Sequence, residues 1–315
     1  MRTVQARRIG LALGSGAARG WAHIGVLRAL AEIGVEPDIL CGTSIGACVA
    51  AAHLTDQLDE LQGWAQNMGL LGMLGLIDLT MRRGGLVSAE RAFERFRNAR
   101  TEVRIEDLPR PFAAVACELG TGREIWLRDG PLLDAVRASA AMAGLFPAVR
   151  RDGHWLTDGA LVNPVPVSLC RALGADVVIA VNLNSEIAAL PRPVVPATQT
   201  AQAAPTAPPL GQITQQMAAW LGRKPGERAG VITGDPAGPP QPSPTVMETI
   251  AGSLDIMQDR ITRARLAGEP PDVLIAPRLG HIGILEFDRV QEVMAIGYDA
   301  ARIAGPAIEM ALKRA

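Results

Sequence analysis

The chain has 315 residues, with 31 basic and 32 acidic side chains and a formal net charge of -1 at pH 7. This balance excludes the basic surface of a typical nucleic-acid-binding protein, so we expect no nucleic-acid partner. Hydrophobic residues make up 48% of the chain, which is enough for one large or two medium domains with a real core.

Short apolar runs alternate with helical patterns from residue 8 to residue 184. This alternation predicts an α/β fold with a mostly parallel sheet flanked by helices. The predicted strands lie at residues 9–13, 37–41, 112–117, 124–127 and 175–183. The predicted helices lie at residues 21–33, 47–52, 56–79 and 88–97, with a further one opened by Pro131.

The composition changes between residues 186 and 244, where proline is frequent beside alanine, glutamine and threonine. Such a segment cannot form a packed core, so we predict a disordered insertion. Regular patterns then resume with a helix at 245–266, a strand at 273–277 and a helix at 287–312. Because that strand is expected to rejoin the same sheet, we predict one domain over 8–312, interrupted by the insertion.

Apolar residues recur at roughly helical spacing inside the insertion, at Leu210, Ile213, Met217, Trp220 and Leu221. One interpretation is an amphipathic helix that contacts a membrane or covers the active site. The other is a partly ordered segment that packs on the domain. The sequence leaves both open.

Cysteine usage and the N-terminal residues bear on the compartment. The four cysteines lie far apart in apolar runs, at Cys41, Cys48, Cys117 and Cys170. We interpret them as reduced core residues. The first apolar run is too short to span a membrane and lacks the cleavage site of a secretory signal. We therefore expect a cytoplasmic protein, with peripheral contact to the inner face of a membrane left open.

One serine stands in a G-x-S-x-G turn between a predicted strand and a predicted helix, in GTSIG at residues 42–46. Such a turn exposes the hydroxyl group with a helix N-terminus behind it. Gly42 and Gly46 allow the strand and helix to approach where a Cβ would clash. Ser44 is therefore a candidate nucleophile, although a glycine-rich turn with an incidental serine has the same pattern.

A glycine-rich loop, GSGAARG at residues 14–20, joins the first strand to the first helix. Backbone N–H groups at a helix N-terminus bind anions, so this loop suits a phosphate or an oxyanion. A dinucleotide fingerprint requires glycine where Arg19 stands. With a serine turn just downstream, an oxyanion hole is the better interpretation, and nucleotide binding is the weaker one.

A nucleophilic serine needs a base. None of His23, His53, His154 and His281 lies in a clear base-like motif. Asp158 precedes a glycine and an alanine, a pattern that often forms only a turn, but a sheltered carboxylate also serves as a base. In α/β-hydrolases the serine turn follows several strands, whereas here it ends the second, which argues against a Ser-Asp-His triad of that type.

Together these motifs resemble the patatin-like phospholipase family, which combines a glycine-rich loop, G-x-S-x-G and a later D-G-A/G in this order. The matching segments are residues 14–20, 42–46 and 158–160, with supporting likeness at 135–140, 144–147 and 163–166. Within the family the chain is similar to bacterial RssA-type proteins, at residues 14–21 and 270–275. The resemblance covers about residues 8–184 and, more weakly, 245–312.

The resemblance implies a three-layer fold and a serine acyl hydrolase that cleaves lipid or phospholipid acyl esters through an acyl-enzyme, without cofactor or metal. Ser44 would be the nucleophile and Asp158 its base. Gly16, Ala17 and Ile45 would offer the N–H groups of an oxyanion hole. The loop and the serine turn would be supported by Gly14, Ser15, Arg19, Gly20, Gly42, Gly46 and Gly159. Arg19 would either brace the loop or meet a substrate phosphate.

The chain departs from the family at a few positions. Ser15 and Ala17 stand where the fuller family loop has glycine, and Ala143 stands where proline is frequent. The backbone donors survive if the turn tolerates a Cβ. A different class remains open, namely a regulatory or scaffold protein that uses the insertion for docking.

Overall fold

The computed structural model describes residues 7–67, 93–94, 96–143, 145–186 and 246–313. Outside these residues lie positions 68–79 of the predicted helix at 56–79, positions 88–92 and 95 of the predicted helix at 88–97, and nearly all of the predicted insertion with its amphipathic segment. Among the helices that are described, none is long and apolar enough to cross a membrane.

The strands are β1 (Ile9–Leu13), β2 (Ile39–Thr43), β3 (Phe112–Glu118), β4 (Glu124–Leu127), β5 (Val149–Arg151), β6 (His154–Asp158), β7 (Val177–Val181) and β8 (Val273–Ile275). The α-helices are α1 (Ala22–Glu32), α2 (Ile45–Leu54), α3 (Leu58–Asn67), α4 (Leu132–Ser139), α5 (Val167–Ala172), α6 (Val246–Gly268) and α7 (Val290–Lys313). Short 3-10 helices lie at Ala17–Trp21, Ile105–Asp107 and Gly159–Leu161.

The predicted α/β architecture is confirmed, including the end of the first helix at Gly34, whereas the bounds of the second strand differ from the prediction. Gly34 has a φ of 72° and closes α1, as expected of a residue that must adopt the left-handed conformation. The second strand continues beyond its predicted end to Thr43, because its last residues pair with β3. The edge strand β5 was not predicted, since its short sequence carries two arginines and no apolar alternation.

The eight strands form one sheet in the order β5-β6-β3-β2-β1-β7-β8, with β4 paired to β3 outside this path. The strands from β3 through β2, β1 and β7 to β8 are parallel, whereas β4, β5 and β6 run antiparallel to their neighbours. Strand β8 pairs with β7, which confirms that the chain after the predicted insertion rejoins the sheet.

Helices cover both faces of the sheet. Alternate strand residues such as Leu11 and Leu40 pack on one face with α1, α2, α4 and α7. Their neighbours in the strands, such as Ala12 and Cys41, pack on the other face with α5. Burial on both faces explains why the central strands are almost continuously apolar. All four cysteines are free. Three of them are buried as predicted, whereas Cys48 is only partly buried.

The edges of β3 determine where the ends of two other strands meet. Strand β4 pairs with residues 114–117 of β3, β2 with residues 112–115, and β6 with residues 116–118. Since one residue can pair with only one strand on each side, β4 occupies one edge and β2 and β6 share the other. The last residues of β2 and β6 lie opposite consecutive residues of β3, so the two strands point at each other end to end.

Candidate active site

The turn between β2 and α2 holds Ser44 in an unusual backbone conformation. Ser44 has a φ of 58° and a ψ of -124°, in the region that non-glycine residues rarely adopt. A Cβ at Gly42 would lie 2.4 Å from the Ala47 nitrogen, and a Cβ at Gly46 would lie 2.1 Å from the Leu13 oxygen. The two glycines therefore allow a close crossing of strand and helix that fixes this conformation.

Ser44 and Asp158 meet because β2 and β6 end against the same edge of β3. The Ser44 hydroxyl donates a hydrogen bond to Asp158 Oδ2 at 2.6 Å, and both residues are buried. The other carboxylate oxygen of Asp158 accepts the N–H of Ala160 at 2.8 Å. The Asp158 backbone N–H in turn donates to the Ala141 oxygen at 3.0 Å. The carboxylate is thus held with one oxygen free to face the serine.

Burial controls the charge of this pair. Desolvation raises the pKa of Asp158 from 3.8 to about 6, and the hydrogen bonds from Ser44 and Ala160 partly oppose the shift. Burial, with the nearby charge of Asp158, also raises the pKa of the Cys48 thiol to about 12. At neutral pH the site therefore holds an ionised carboxylate beside a neutral thiol and a serine hydroxyl.

A second serine supports the turn. The Ser44 backbone N–H donates to the Ser139 hydroxyl at 2.9 Å, and Ser139 is completely buried at the end of α4. Ser139 was not predicted as a site residue. The only signal was its place in residues 135–140, which resemble the segment that precedes the aspartate in the family.

The glycine-rich loop lies beside the serine turn. A Cβ at Gly20 would lie 2.1 Å from Ile45 Cγ1, so the absence of a side chain at Gly20 allows the loop to pack on the residue after Ser44. Ala17 has a φ of 48°, which shows that the turn accommodates its Cβ in the left-handed region. Within the described residues, neither the Gly16 nor the Ala17 N–H donates a hydrogen bond to the protein.

Arg19 braces this loop. Its guanidinium group is buried and donates two hydrogen bonds to the Asp255 carboxylate, at 2.9 and 3.0 Å. Its Nε donates to the Ile282 oxygen at 2.8 Å. Of the two roles left open by the sequence, bracing the loop therefore fits the structure, because the donors that would meet a substrate phosphate already have partners.

The histidines have partners of their own. His23 is fully buried, hydrogen bonds through Nε2 to the Gly14 oxygen at 2.7 Å, and has its pKa lowered by burial to about 4. His53 pairs with Arg110, whereas His154 and His281 each pair with a glutamate. In the described ranges, no three histidine, cysteine, aspartate or glutamate side chains are grouped to hold a metal ion.

A buried serine–carboxylate pair at the carboxyl end of a mostly parallel sheet, beside a loop with N–H groups that have no partner in the described residues, has the composition of a hydrolase site. Residues 11–171 match the family model described as "Patatin-like phospholipase". An uncharacterized NTE family protein of Mycobacterium tuberculosis is 33% identical over 340 residues, covering 96% of this chain and 92% of that protein. The chain belongs to the patatin-like phospholipase family, and membership supports lipid acyl hydrolase activity in general.

Two further similarities are more limited. Patatin-like phospholipase domain-containing protein 7 of Mus musculus is 36% identical over 191 residues, which is 58% of this chain but 14% of that protein. The crystal structure of VipD from Legionella pneumophila aligns with 98% of this chain and 67% of that chain, at 11% identity and a TM-score of 0.45. The RssA subtype stays a prediction.

Proposed function

We propose that the protein is a serine acyl hydrolase that cleaves lipid or phospholipid acyl esters, with Ser44 as the nucleophile and Asp158 as its base. The observation that carries this proposal is the 2.6 Å hydrogen bond from the Ser44 hydroxyl to Asp158 Oδ2. Hydrogen-bond reach between a nucleophile and a base is the geometric requirement for proton transfer in the first step.

In the acylation step, Asp158 accepts the proton of Ser44 while the serine oxygen attacks the ester carbonyl. A tetrahedral intermediate forms, and it collapses when the bond to the alcohol breaks and the alcohol leaves with the proton held by Asp158. In the deacylation step, water attacks the acyl-enzyme and loses its proton to Asp158, and Ser44 is then released as a hydroxyl. The Ser44 proton therefore leaves with the alcohol and a proton from water replaces it, so Ser44 and Asp158 end the turnover in their starting protonation states.

The pKa of about 6 suits Asp158 to this role. A carboxylate with an ordinary pKa is a weak base at neutral pH, whereas one raised toward the working pH is ionised and still accepts a proton readily. Its second oxygen remains bonded to the Ala160 N–H, so the carboxylate keeps its orientation while Oδ2 exchanges the proton.

The oxyanion of the tetrahedral intermediate is proposed to bind the N–H groups of Gly16 and Ala17, with Ile45 as a third donor. Two facts support this assignment. The Gly16 and Ala17 N–H groups are unused within the described residues, and Gly20 brings their loop against Ile45. A preorganised donor of this kind contributes about 3 to 4 kcal/mol to transition-state stabilisation.

Lipid esters are held in bilayers and micelles, so the proposed reaction takes place during contact with a lipid surface. We propose that this contact is peripheral. We also propose that the contact with lipid occurs at the cytoplasmic face of the membrane, in keeping with the free cysteines.

The test is hydrolysis of p-nitrophenyl esters of short and long acyl chains, with fluorophosphonate labelling of the same samples. Ser44→Ala and Asp158→Asn are each expected to abolish turnover in a folded protein. Ser253→Ala on α6, whose hydroxyl bonds only to its own helix, is the matched serine control and should retain full activity. Ser44→Ala should also lose the label.

Two outcomes would contradict the proposal. If Asp158→Asn kept a near-normal rate, the serine–aspartate pair would be wrong, and His154 and His281 would be the next bases to test. If folded wild type neither hydrolysed the esters nor took up the label, the protein would fit the regulatory or scaffold alternative.

A further inference from the structure

The glycine-rich loop is held by residues that lie far along the chain. Four buried polar side chains form one hydrogen-bonded cluster, and they are Ser15, Arg19, Asn184 and Gln258. Asp255, one turn before Gln258 on α6, completes the cluster through its paired hydrogen bonds with Arg19. The match to the family model ends at residue 171, so the side chains of this cluster that lie outside the loop, those of Asn184, Asp255 and Gln258, come after the matched region.

The two donors assigned to the oxyanion hole are flanked by these contacts. Just before Gly16, the Ser15 hydroxyl donates to Gln258 Oε1 at 2.9 Å. Just after Ala17, the Ala18 N–H donates to the Ile284 oxygen at 3.0 Å. Arg19 then forms its bidentate ion pair with Asp255. The loop is therefore fixed on both sides of the Gly16 and Ala17 N–H groups.

Asn184 ties the two sides together. Its Oδ1 accepts a hydrogen bond from Arg19 at 3.2 Å, and its Nδ2 donates to Gln258 Oε1 at 3.1 Å. Gln258 Oε1 thus accepts hydrogen bonds from both Ser15 and Asn184. This one oxygen links Ser15, at the beginning of the loop, to Asn184, which accepts a hydrogen bond from Arg19. A closed network of this kind has a single low-energy arrangement, because every partner constrains the next.

The Gly16 oxygen accepts the Arg19 N–H at 3.0 Å, but no hydrogen bond within the described residues fixes the direction of the Gly16 and Ala17 N–H groups. Ala17 is in the left-handed region, and the two N–H groups make no hydrogen bond within the described residues. Their direction is therefore set by the residues on either side. A displacement of about 1 Å in a group that contacts the transition state lowers the rate by roughly 100-fold.

We propose that Asp255 and Gln258 of α6 are positioning residues that aim the Gly16 and Ala17 N–H groups at the oxyanion. This inference rests on the proposed function. Neither side chain is assigned a contact with the substrate; each acts through Arg19 or Ser15. The activity of the site then depends on the placement of α6, a helix that begins more than 70 residues after the end of the matched family region.

The kinetic test compares Asp255→Asn and Gln258→Leu with wild type on p-nitrophenyl butyrate. We expect kcat to fall roughly 10- to 100-fold in each, with KM changed less than about twofold. The inhibition constant of a trifluoromethyl ketone, which forms a tetrahedral adduct with a serine, should rise by the same factor. Asp255→Glu, which keeps the ion pair, should restore part of the kcat.

The matched control is Asp259→Asn on the same helix. Asp259 is more deeply buried than Asp255 and pairs with Arg263 within α6, and none of its hydrogen bonds or ion pairs in the described residues reaches the loop. The kcat of the Asp259→Asn variant should stay within about twofold of the wild-type value. Active sites are counted by fluorophosphonate titration before each comparison, so that a smaller folded fraction is not taken for a lower kcat.

A second measurement is independent of catalysis. Amide hydrogen exchange of peptides that span residues 14–21 should accelerate at least tenfold in Asp255→Asn and Gln258→Leu and remain unchanged in Asp259→Asn. If exchange responds in this way but wild type shows no hydrolysis that depends on Ser44, the proposed function fails and the positioning of the loop stands.

The proposal is overturned if folded Gln258→Leu keeps the kcat and the loop exchange of wild type. It is also overturned if only KM rises, or if Asp259→Asn loses as much kcat as Asp255→Asn. Should Asp255→Asn fail to fold because Arg19 loses its counter-charge, Gln258→Leu decides the question, since it removes no charge.

Discussion

The ionised carboxylate of Asp158 destabilises the fold that contains it. Because burial raises its pKa from 3.8 to about 6, the folded state binds a proton more tightly than the unfolded state. The stabilisation of the folded state by this bound proton is complete below pH 3.8 and is lost as the pH rises through about 6. Asp158→Asn removes the titration while keeping the shape of the side chain, so the variant should gain stability relative to wild type as the pH rises.

The size of the effect follows from the two pKa values. At pH 8 the ionised group costs about 3 kcal/mol relative to its protonated form, and at pH 5 about 1.6 kcal/mol. The difference in unfolding free energy between Asp158→Asn and wild type should therefore grow by about 1.4 kcal/mol from pH 5 to pH 8. Other titrating groups are common to both proteins and cancel in this difference.

Urea unfolding followed by tryptophan fluorescence at pH 5, 6, 7 and 8 measures this difference. Ser44→Ala provides an internal check, because the Ser44 hydrogen bond lowers the pKa of Asp158. Its removal should move the midpoint of the pH dependence upward. The unfolding free-energy difference between Asp158→Asn and wild type could instead stay constant within about 0.5 kcal/mol across this range. That result would refute the assignment of a raised pKa to the buried carboxyl group of Asp158.

Three further predictions concern the same site. The kcat/KM for a soluble ester should fall tenfold per pH unit below about 6 and reach a plateau above it, because Asp158 must be ionised to act as base; a profile that is flat down to pH 5 would contradict this. Ser139→Ala should lower the unfolding free energy by about 1 to 3 kcal/mol and reduce kcat, since the Ser44 N–H loses its buried acceptor; unchanged thermal unfolding and kcat would show that the bond is dispensable. Gly46→Ala should lower the unfolding free energy by at least about 3 kcal/mol, because its Cβ would lie 2.1 Å from the Leu13 oxygen; a circular dichroism melt like that of wild type would contradict the close crossing.

The sequence was most informative where chemistry is encoded locally. The G-x-S-x-G turn, the glycine-rich loop and the D-G-A segment each occupy a few consecutive residues, so Ser44 and Asp158 could be named without the structure. The strands β1, β3 and β4 were also predicted within one residue, because their apolar runs are bounded by turn residues.

Contacts between distant segments could not be predicted from one sequence. Nothing in residues 37–43 or 154–158 indicates that the two strands share an edge of β3. The position of each strand along β3 is set by its hydrogen bonds to β3, which lies in a distant part of the sequence. The partners of Arg19 were also out of reach. Its ion pair with Asp255 spans 236 residues, and an aspartate on an amphipathic helix is ordinarily a solvent-exposed residue. Ser139 carried no motif of its own.

The end-to-end meeting of β2 and β6 has a consequence for how the protein becomes active. The two members of the proposed pair are 114 residues apart, and they come together only when both strands have docked on β3. Pairings of such long range form late, after the loop-closure entropy between them has been overcome. A folding intermediate that contains the serine turn but lacks β6 therefore cannot hydrolyse an ester. The appearance of esterase activity during refolding would time the completion of the sheet.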